Sequence, residues 1–367
     1  FHMRGVHAYQ AIHWLFNYDD GFVKRGLVGS IYQVFEFPVT VNGLQWVSYS
    51  MAVLAIVLIC AFSTWVLCRS GFLEKQGLLW SLLLSVWIVT LPGLAQQFFF
   101  DLARFDVIGA MLLLTGVWMI VCSRSKRLTF WISALVSAIA ILVHETTVVW
   151  VFPVLVASWW LKHGATRRDA VHTFVLSFGV FFFSVFVFYS GYDKIHDLET
   201  MSEILLKRCN FDIYEYGLIS QYTGLKGNVL NAKDYPWPDD AWVRIGLGLI
   251  VLSVSVIVML GVVTVRRMPR RWAWMAILGL CSLSPLVLMI MALDNGRWLS
   301  MSQFGTTLLT LVLLSGAGAD IPILRRRWML AVAGGIVFNL LLGPYGIIAP
   351  FPESFFFPYP DAYLFGP

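Results

Sequence analysis

Residues 123–168 read SRSKRLTFWISALVSAIAILVHETTVVWVFPVLVASWWLKHGATRR, and this stretch decides how the chain must fold. The apolar run 129–160 is too long for one membrane helix of ordinary tilt, which needs about 20 residues. Basic clusters flank the run on both sides, and the positive-inside rule assigns such clusters to the cytoplasm. The run therefore predicts a hairpin of two short helices, of about 15 residues each, that turns at His144 and Glu145 inside the protein.

The overall composition extends this prediction to the whole chain. Hydrophobic residues make up 59% of the sequence and charged residues 13%, and the mean hydropathy is +0.75. These values exclude a water-soluble domain and predict an all-α polytopic membrane protein. The formal net charge is +5, but Lys and Arg occupy short gaps between apolar runs. Membrane topology explains them, so we expect no nucleic-acid partner.

A window of about 20 residues divides the chain into ten predicted spans. They lie near 46–68, 78–95, 106–122, the two arms of 129–161, 170–190, 242–264, 273–293, 300–317 and 328–349. Basic clusters fall in every second gap, at 69–75, 124–127, 162–168, 266–271 and 325–327. The acid-bearing gaps should therefore face away from the cytoplasm. Because the sequence begins at Phe1, we also expect a preceding helix that makes eleven spans, with a removed signal peptide as the alternative.

Three segments are expected on the extracytoplasmic face. Residues 1–45 form a loop, in which apolar residues recur at helical spacing over 21–37 and predict an interfacial amphipathic helix. Residues 191–241 form a long polar loop, and residues 350–367 form an aromatic tail at headgroup level. The membrane helices then occupy 46–190 and 242–349.

The first candidate site lies just before the amphipathic helix, where Asp19 and Asp20 are adjacent. Two neighbouring carboxylates repel each other with no evident structural gain, and either can act as a general base. Lys24 and Arg25 follow, at the depth where a lipid phosphate would lie. The alternative is a solvated turn and a helix whose cations reach the headgroups.

Two further outer gaps contain opposite charges. Asp101, Arg104 and Asp106 lie in a short gap, and they either face a polar cavity or form an ion pair that caps the next helix. Asp294 and Arg297 flank an Asn-Gly dipeptide, which predicts a tight turn that brings both to one side. An arginine suits bidentate recognition of phosphate, and mutual neutralisation of the two charges is the alternative.

His144 and Glu145 form the fourth candidate, because an ionisable residue at membrane depth is costly and is most often functional. Glu145 can accept hydrogen bonds from a sugar hydroxyl, and His144 can bind phosphate or relay protons. The alternative is a structural polar contact between helices. The zinc-protease spacing would need a second histidine at position 148, which is Val148. We predict no metal ligands and no cofactor, and leave open whether a divalent metal is required.

This layout resembles the GT-C superfamily of membrane glycosyltransferases, which use polyprenyl-phosphate-linked sugars. In that superfamily the catalytic carboxylate usually lies in the first outer loop, a position that matches Asp19 and Asp20. A further acidic motif in the next outer loop matches Asp101 or Asp106. The segment GFVKRGLVG at 21–29, the later His-Glu pair and DNGRW at 294–298 are also similar to bacterial membrane proteins of surface-polysaccharide gene clusters, including O-antigen polymerases.

The resemblance implies a GT-C-like enzyme of the bacterial inner membrane that transfers or polymerises sugars from an undecaprenyl-type carrier at the periplasmic face. Asp20, or else Asp19, would deprotonate the acceptor hydroxyl while cations hold the departing polyprenyl phosphate. The expected partners are the lipid-linked saccharide, the bilayer and other polysaccharide-assembly proteins. The alternatives are a secondary transporter and a flippase or assembly subunit for lipid-linked saccharides. A transporter should show internal repeats, and none stands out in the sequence.

Overall fold

A computed structural model describes residues 8–35, 39–70, 82–95, 103–164, 166–190, 198–213, 217–219, 241–266, 268, 270–290, 294–316 and 326–345. Within these ranges the chain consists of helices and turns, apart from one isolated β-bridge between Val39 and Cys209. In the described part of the chain, six helical segments are long and apolar enough to cross a membrane. The all-α class and the membrane-spanning character are thus confirmed, while the count of ten spans and the GT-C-like arrangement stay predictions.

The helices are numbered here in chain order. The first part of the chain forms α1 (Ala8–His13), α2 (Gly26–Gln33), α3 (Val41–Arg69), α4 (82–90), α5 (Pro92–Ala95), α6 (Asp106–Cys122), α7 (Lys126–Val143), α8 (Thr147–His163) and α9 (Arg167–Tyr189). The remainder forms α10 (Leu198–Leu206), α11 (Ala241–Val265), α12 (Arg271–Leu283), α13 (Asn295–Ser315) and α14 (Arg326–Leu342). A 3₁₀ turn at Tyr18–Asp20 precedes α2, and another at Ser284–Ile290 continues α12.

Helices α7 and α8 form the predicted hairpin. Near the end of α8, the indole of Trp159 donates a hydrogen bond of 3.1 Å to the carbonyl of Lys126 at the start of α7. The two helices are therefore antiparallel, and the chain reverses at 144–146, where the sequence predicts a turn. They have 18 and 17 residues and are longer than expected. The reason is that α7 begins within the basic cluster, where the hydroxyl of Ser125 caps it.

Helix α13 is the central element of the bundle. It packs against α3, α5, α6, α8, α11 and α12, and its residues from Asn295 to Leu309 are all buried. Its polar side chains form hydrogen bonds within the bundle. Ser300 donates to the carbonyl of Gly93 at 2.6 Å, and Gln303 accepts from the amide of Gly93 at 2.6 Å. These bonds satisfy polar groups that would otherwise be costly to bury.

The outer helices present apolar side chains to their surroundings. Large exposed side chains on α9 include Phe174, Phe178 and Phe182, and those on α11 include Ile250 and Ile257. Such surfaces are unfavourable in water, whereas the acyl chains of a bilayer cover them. This distribution places α13 inside the bundle and α9 and α11 against lipid.

The predicted amphipathic helix over 21–37 is wrong in its extent and in the direction of its cations. Helix α2 covers only Gly26–Gln33, because Arg25 has φ +62°, a left-handed conformation that breaks the helix. In the predicted helix, Lys24 and Arg25 would reach outward to a lipid phosphate or to the headgroups. Instead Lys24 is buried, and the guanidinium of Arg25 turns inward to Glu145.

The two segments predicted to be extracytoplasmic loops lie side by side where they are described. The amide of Val39 donates to the carbonyl of Arg208 at 2.9 Å, so the chain before α3 is joined to the segment after α10. Residues 191–197, 214–216 and 220–240 of the predicted 191–241 loop and the whole predicted aromatic tail 350–367 lie outside the described residues.

Candidate functional site

Ionisable side chains converge at the end of the bundle where the α7–α8 hairpin turns. This charged cluster consists of Lys24, Arg25, Arg104, Asp106, His144, Glu145, Asp294 and Arg297. Each of the four constellations singled out in the sequence contributes two members. The four pairs are far apart in the sequence, and the fold brings them together.

Four helices begin at the charged cluster. Arg25 precedes α2, Asp106 is the first residue of α6, Glu145 lies just before α8, and Asp294 precedes α13. A helix N-terminus presents free amide groups and carries about half an elementary positive charge. The carboxylates can therefore be buried here at less cost, and the region favours anions.

Arg25 and Glu145 form a bidentate ion pair. The Nε of Arg25 donates to Oε2 of Glu145 at 3.0 Å, and its Nη2 donates to Oε1 at 2.6 Å. The two side chains are 12% and 4% exposed, so the pair is largely shielded from water. This planar, double contact suits arginine and could not be reproduced by lysine. It links the segment before α2 to the hairpin turn.

Arg297 joins three further parts of the cluster. Its Nη2 donates to Oδ1 of Asp106 at 2.6 Å, and its Nη1 donates to Oδ2 of Asp294 at 3.0 Å. Its Nη2 also lies 3.0 Å from Nε2 of His144. A guanidinium has no acceptor, so the imidazole nitrogen accepts in this contact. The other ring nitrogen of His144, Nδ1, lies 2.9 Å from the hydroxyl of Thr146 and 3.3 Å from its backbone amide.

The tight turn predicted at Asn295 and Gly296 is wrong. Both residues are in the first turn of α13 and are buried. Asp294 and Arg297 nevertheless meet, because residues three apart share one helical face. Trp298 is 2% exposed, and its ring centre lies 4.7 Å from the guanidinium of Arg297. The ion pairs of Arg297 and the burial of Trp298 together hold this segment in the helix.

Asp294 connects Arg297 to Arg104, whose Nη1 lies 3.3 Å from the same carboxylate oxygen. Burial opposes ionisation, but Arg104 and Arg297 hold the pKa of Asp294 below its ordinary value. The Asp294 side chain is 24% exposed, more than those of Asp106 and Glu145. The cluster therefore reaches the surface at Asp294.

The backbone conformation of Ala103 directs Arg104 towards Asp294. Ala103 is buried with φ +64°, and its carbonyl accepts a hydrogen bond of 2.7 Å from the indole of Trp14. A non-glycine residue in this conformation persists only when its surroundings impose it. Left-handed backbone conformations thus position two cations of the cluster: that of Arg25 itself and that of Ala103 before Arg104.

Lys24 lies beside the Arg25–Glu145 pair and is buried. Burial lowers the pKa of Lys24 to about 8, an effect that Glu145 opposes and Arg25 reinforces. Its ammonium is 4.9 Å from the centre of the Phe188 ring near the end of α9. Lys24 is therefore a cation that titrates close to neutral pH.

His13 lies beside the charged cluster, although it was not among the predicted site residues. It ends α1 and is buried, and within the described part of the chain its Nδ1 has no hydrogen-bond partner. Burial lowers the pKa of His13 well below its ordinary value, and the nearby charges of Arg25 and Arg104 lower it further. The imidazole is thus neutral beside the cluster. No motif marks it, since it is one histidine on the apolar side of a short helix.

The remaining predicted site residues are Asp19, Asp20 and Asp101. Asp19 is exposed, and its carboxylate accepts a hydrogen bond from the amide of Gln33. The backbone of Asp20 ends the 3₁₀ turn, but its side chain lies outside the described residues, as does the whole of Asp101. Their roles stay predictions. Within the described ranges, no three His, Cys, Asp or Glu side chains are grouped to hold a metal ion.

Comparison with known proteins finds no match to a family model, a curated protein or a solved structure. The charged cluster is therefore the basis on which a function can be inferred.

Proposed function

We propose that this protein is a membrane glycosyltransferase that uses polyprenyl-phosphate-linked sugars to build or polymerise a surface polysaccharide at the extracytoplasmic face of a bacterial inner membrane. The supporting observation is the convergence of four cations and four helix N-termini at one end of a membrane bundle. Guanidinium groups and helix N-termini are what proteins use to bind phosphate.

The chemistry of such a donor matches this electrostatic character. The bond between the anomeric carbon and the phosphate oxygen breaks, and its electron pair leaves with the phosphate. A bond forms between the anomeric carbon and the acceptor oxygen, whose proton passes to a base. The developing negative charge on the phosphate needs stabilisation by fixed cations more than it needs a general acid.

The cations and the carboxylates have different roles in this proposal. Arg104 and Arg297 are nearest to the opening at Asp294 and would contact the phosphate. Asp106 and Glu145 are positioning residues, because they hold the guanidinium groups of Arg297 and Arg25. The polyprenyl tail would remain in the bilayer and reach the site between helices.

The general base must come from outside these ion pairs. Asp106, Glu145 and Asp294 each face an arginine at 3.3 Å or less, and a carboxylate held in this way is a poor proton acceptor. Asp20 remains our choice, with Asp19 as the alternative, because both directly precede the segment that delivers Lys24 and Arg25.

The test is turnover by the purified protein in lipid nanodiscs, with an undecaprenyl-phosphate-linked hexose as donor and release of undecaprenyl phosphate as the readout. We expect turnover by the wild type and a loss of about 10²-fold to 10⁴-fold in Asp20→Asn. Asp212→Asn is the matched control, because Asp212 is an exposed acid of the same face outside the cluster. It should retain full activity.

Two results would overturn the proposal in different ways. If neither Asp20→Asn nor Asp19→Asn lowers turnover, the assigned base is wrong. If the wild type moves the lipid-linked sugar across the membrane and never releases undecaprenyl phosphate, the protein is a flippase or transporter and not a transferase.

A further inference from the structure

A second site lies at the opposite end of the hairpin from the charged cluster. A groove of about 1060 Å³ runs between α7 and α9. Its polar end is formed by Lys126, Arg127, Arg168, Asp169 and His172, all at or near the first turns of these two helices. The groove is separate from the residues assigned to sugar transfer.

The groove extends along one face of α9. On α9 its lining residues follow one helical face from Arg168 through Val175 and Gly179 to Phe183. At a rise of 1.5 Å per residue, that face is roughly 22 Å long. One leaflet contributes about half of the ~30 Å hydrocarbon core. The groove is therefore long enough to hold an acyl chain across its own leaflet.

Most of the groove is lined by apolar side chains that acyl chains of a bilayer would cover. Trp131 on α7 and Val175 on α9 line the groove and are largely exposed, as are Phe174 and Phe178 beside it. These side chains belong to two helices that are long and apolar enough to cross the membrane. An occupant of the apolar part must therefore come from the bilayer.

The charges at the polar end select the kind of lipid. Asp169 is the one carboxylate among the lining residues, and it is already bound by Lys126 at 2.6 Å and by the cap of α9. Arg127 and Arg168 are exposed and form no ion pair within the described part of the chain. The polar end thus has an excess of positive charge at headgroup depth, which complements a lipid headgroup of net negative charge.

We propose that the α7–α9 groove binds an anionic phospholipid, with its headgroup at Arg127 and Arg168 and an acyl chain along Gly179. Gly179 offers a direct test, because a Cβ built there meets nothing within 4 Å. Gly179→Leu should fill the groove without a clash. Gly261→Leu on α11 is the matched control, since Gly261 also has open space but lies outside the groove.

The measurement is native mass spectrometry of the purified full chain titrated with phosphatidylglycerol or phosphatidylcholine of identical acyl chains. The wild type should bind one phosphatidylglycerol at least tenfold more tightly than phosphatidylcholine. Replacing both arginines, in Arg127→Gln with Arg168→Gln, should weaken phosphatidylglycerol binding about fivefold per arginine and leave phosphatidylcholine unchanged. Arg270→Gln with Arg271→Gln, an exposed basic pair elsewhere, should have no effect.

Gly179→Leu should weaken binding of both lipids, whereas Gly261→Leu should match the wild type. Equal binding of the two lipids by the wild type would refute the proposal, and so would identical binding by the two leucine variants. A final experiment tests whether inorganic phosphate competes with the lipid. If millimolar phosphate binds the wild type and Gly179→Leu alike and displaces phosphatidylglycerol, the arginines form a site for free anions and the lipid assignment is wrong.

Discussion

Arg25 and Glu145 are 120 residues apart in the sequence, and two hydrogen bonds of 2.6 and 3.0 Å join their side chains in a buried pair. Arg25 reaches Glu145 from a left-handed backbone position, which costs about 1–2 kcal/mol for a residue with a side chain. The pair therefore ties the segment before α2 to the hairpin turn. His144 lies between this pair and the rest of the charged cluster, 3.5 Å from Glu145 and 3.0 Å from Arg297.

Removing one partner of this pair should destabilise the protein strongly. Glu145→Gln leaves Arg25 buried without its counter-charge, at a cost of about 3–5 kcal/mol. The double variant Arg25→Gln with Glu145→Gln removes both charges and should recover most of that loss. Unfolding in a titration of denaturing detergent, followed by near-UV circular dichroism, measures the difference. A double variant as unstable as the single one would show that the pair is not what holds the segment.

Asp294 and Arg104 should have opposite effects on the binding of a lipid phosphate. Asp294 competes with an incoming anion for Arg104 and Arg297. Asp294→Asn should therefore tighten binding of undecaprenyl phosphate several-fold, and Arg104→Gln should weaken it by about tenfold. Binding can be measured by microscale thermophoresis, with Asp212→Asn as the neutral control. Shifts in the same direction would mean that this edge of the cluster does not bind the phosphate.

Lys24 should make phosphate binding depend on pH. Burial lowers the pKa of Lys24 to about 8, so its positive charge is present below that pH and is lost as the pH rises through it. The phosphate itself keeps its charge above pH 7, because its second pKa is about 6. Affinity for undecaprenyl phosphate should fall about tenfold between pH 7 and pH 9, equivalent to ~1.4 kcal/mol.

Lys24→Arg separates this effect from other titrations, because an arginine stays charged throughout the range. The variant should show a flat profile between pH 7 and pH 9. A profile parallel to that of the wild type would assign the pH dependence to another group.

Much of the fold follows from hydrophobic run lengths and charge placement. The break at His144 and Glu145 could be predicted, because a charged pair in the middle of an over-long apolar run cannot lie within one lipid-facing helix. The helix limits were less accurate. Helix α13 begins earlier than expected, since its first turn is buried by contacts with Asp106 and His144 that lie far away in the sequence.

The members of the candidate site were visible in the sequence, but their partners were not. Arg297 contacts Asp106 across 191 residues, and no local pattern records such a pairing. The side chain of Arg25 turns inward because Arg25 has a positive φ, and no local sequence pattern indicates that conformation. His13 had no signal of any kind, because its importance arises only from the residues that surround it.

Close packing of α2 on the preceding segment predicts a sharp effect at Gly29. A Cβ at this position would lie 2.0 Å from the carbonyl oxygen of Phe16, and a backbone atom cannot move aside easily. Gly29→Ala should destabilise the protein by about 3 kcal/mol. Gly261→Ala has open space around it and should be neutral or slightly stabilising. Thermal unfolding in detergent measures both, and equal stability of the two variants would contradict the packing of α2.

The orientation of the chain can be tested with two exposed positions at opposite predicted faces. Lys207 lies after α10 in the segment expected outside the cell, and Arg124 lies in a basic gap expected in the cytoplasm. In a variant without the five native cysteines, Lys207→Cys should react with a membrane-impermeant maleimide in intact spheroplasts. Arg124→Cys should react only after the membrane is opened with detergent, which also serves as its control for accessibility.

Because the positive-inside rule fixes all the gaps together, labelling of Arg124→Cys in intact spheroplasts would reverse the whole topology. The charged cluster would then face the cytoplasm, and the proposed use of an extracytoplasmic lipid-linked donor would fail with it.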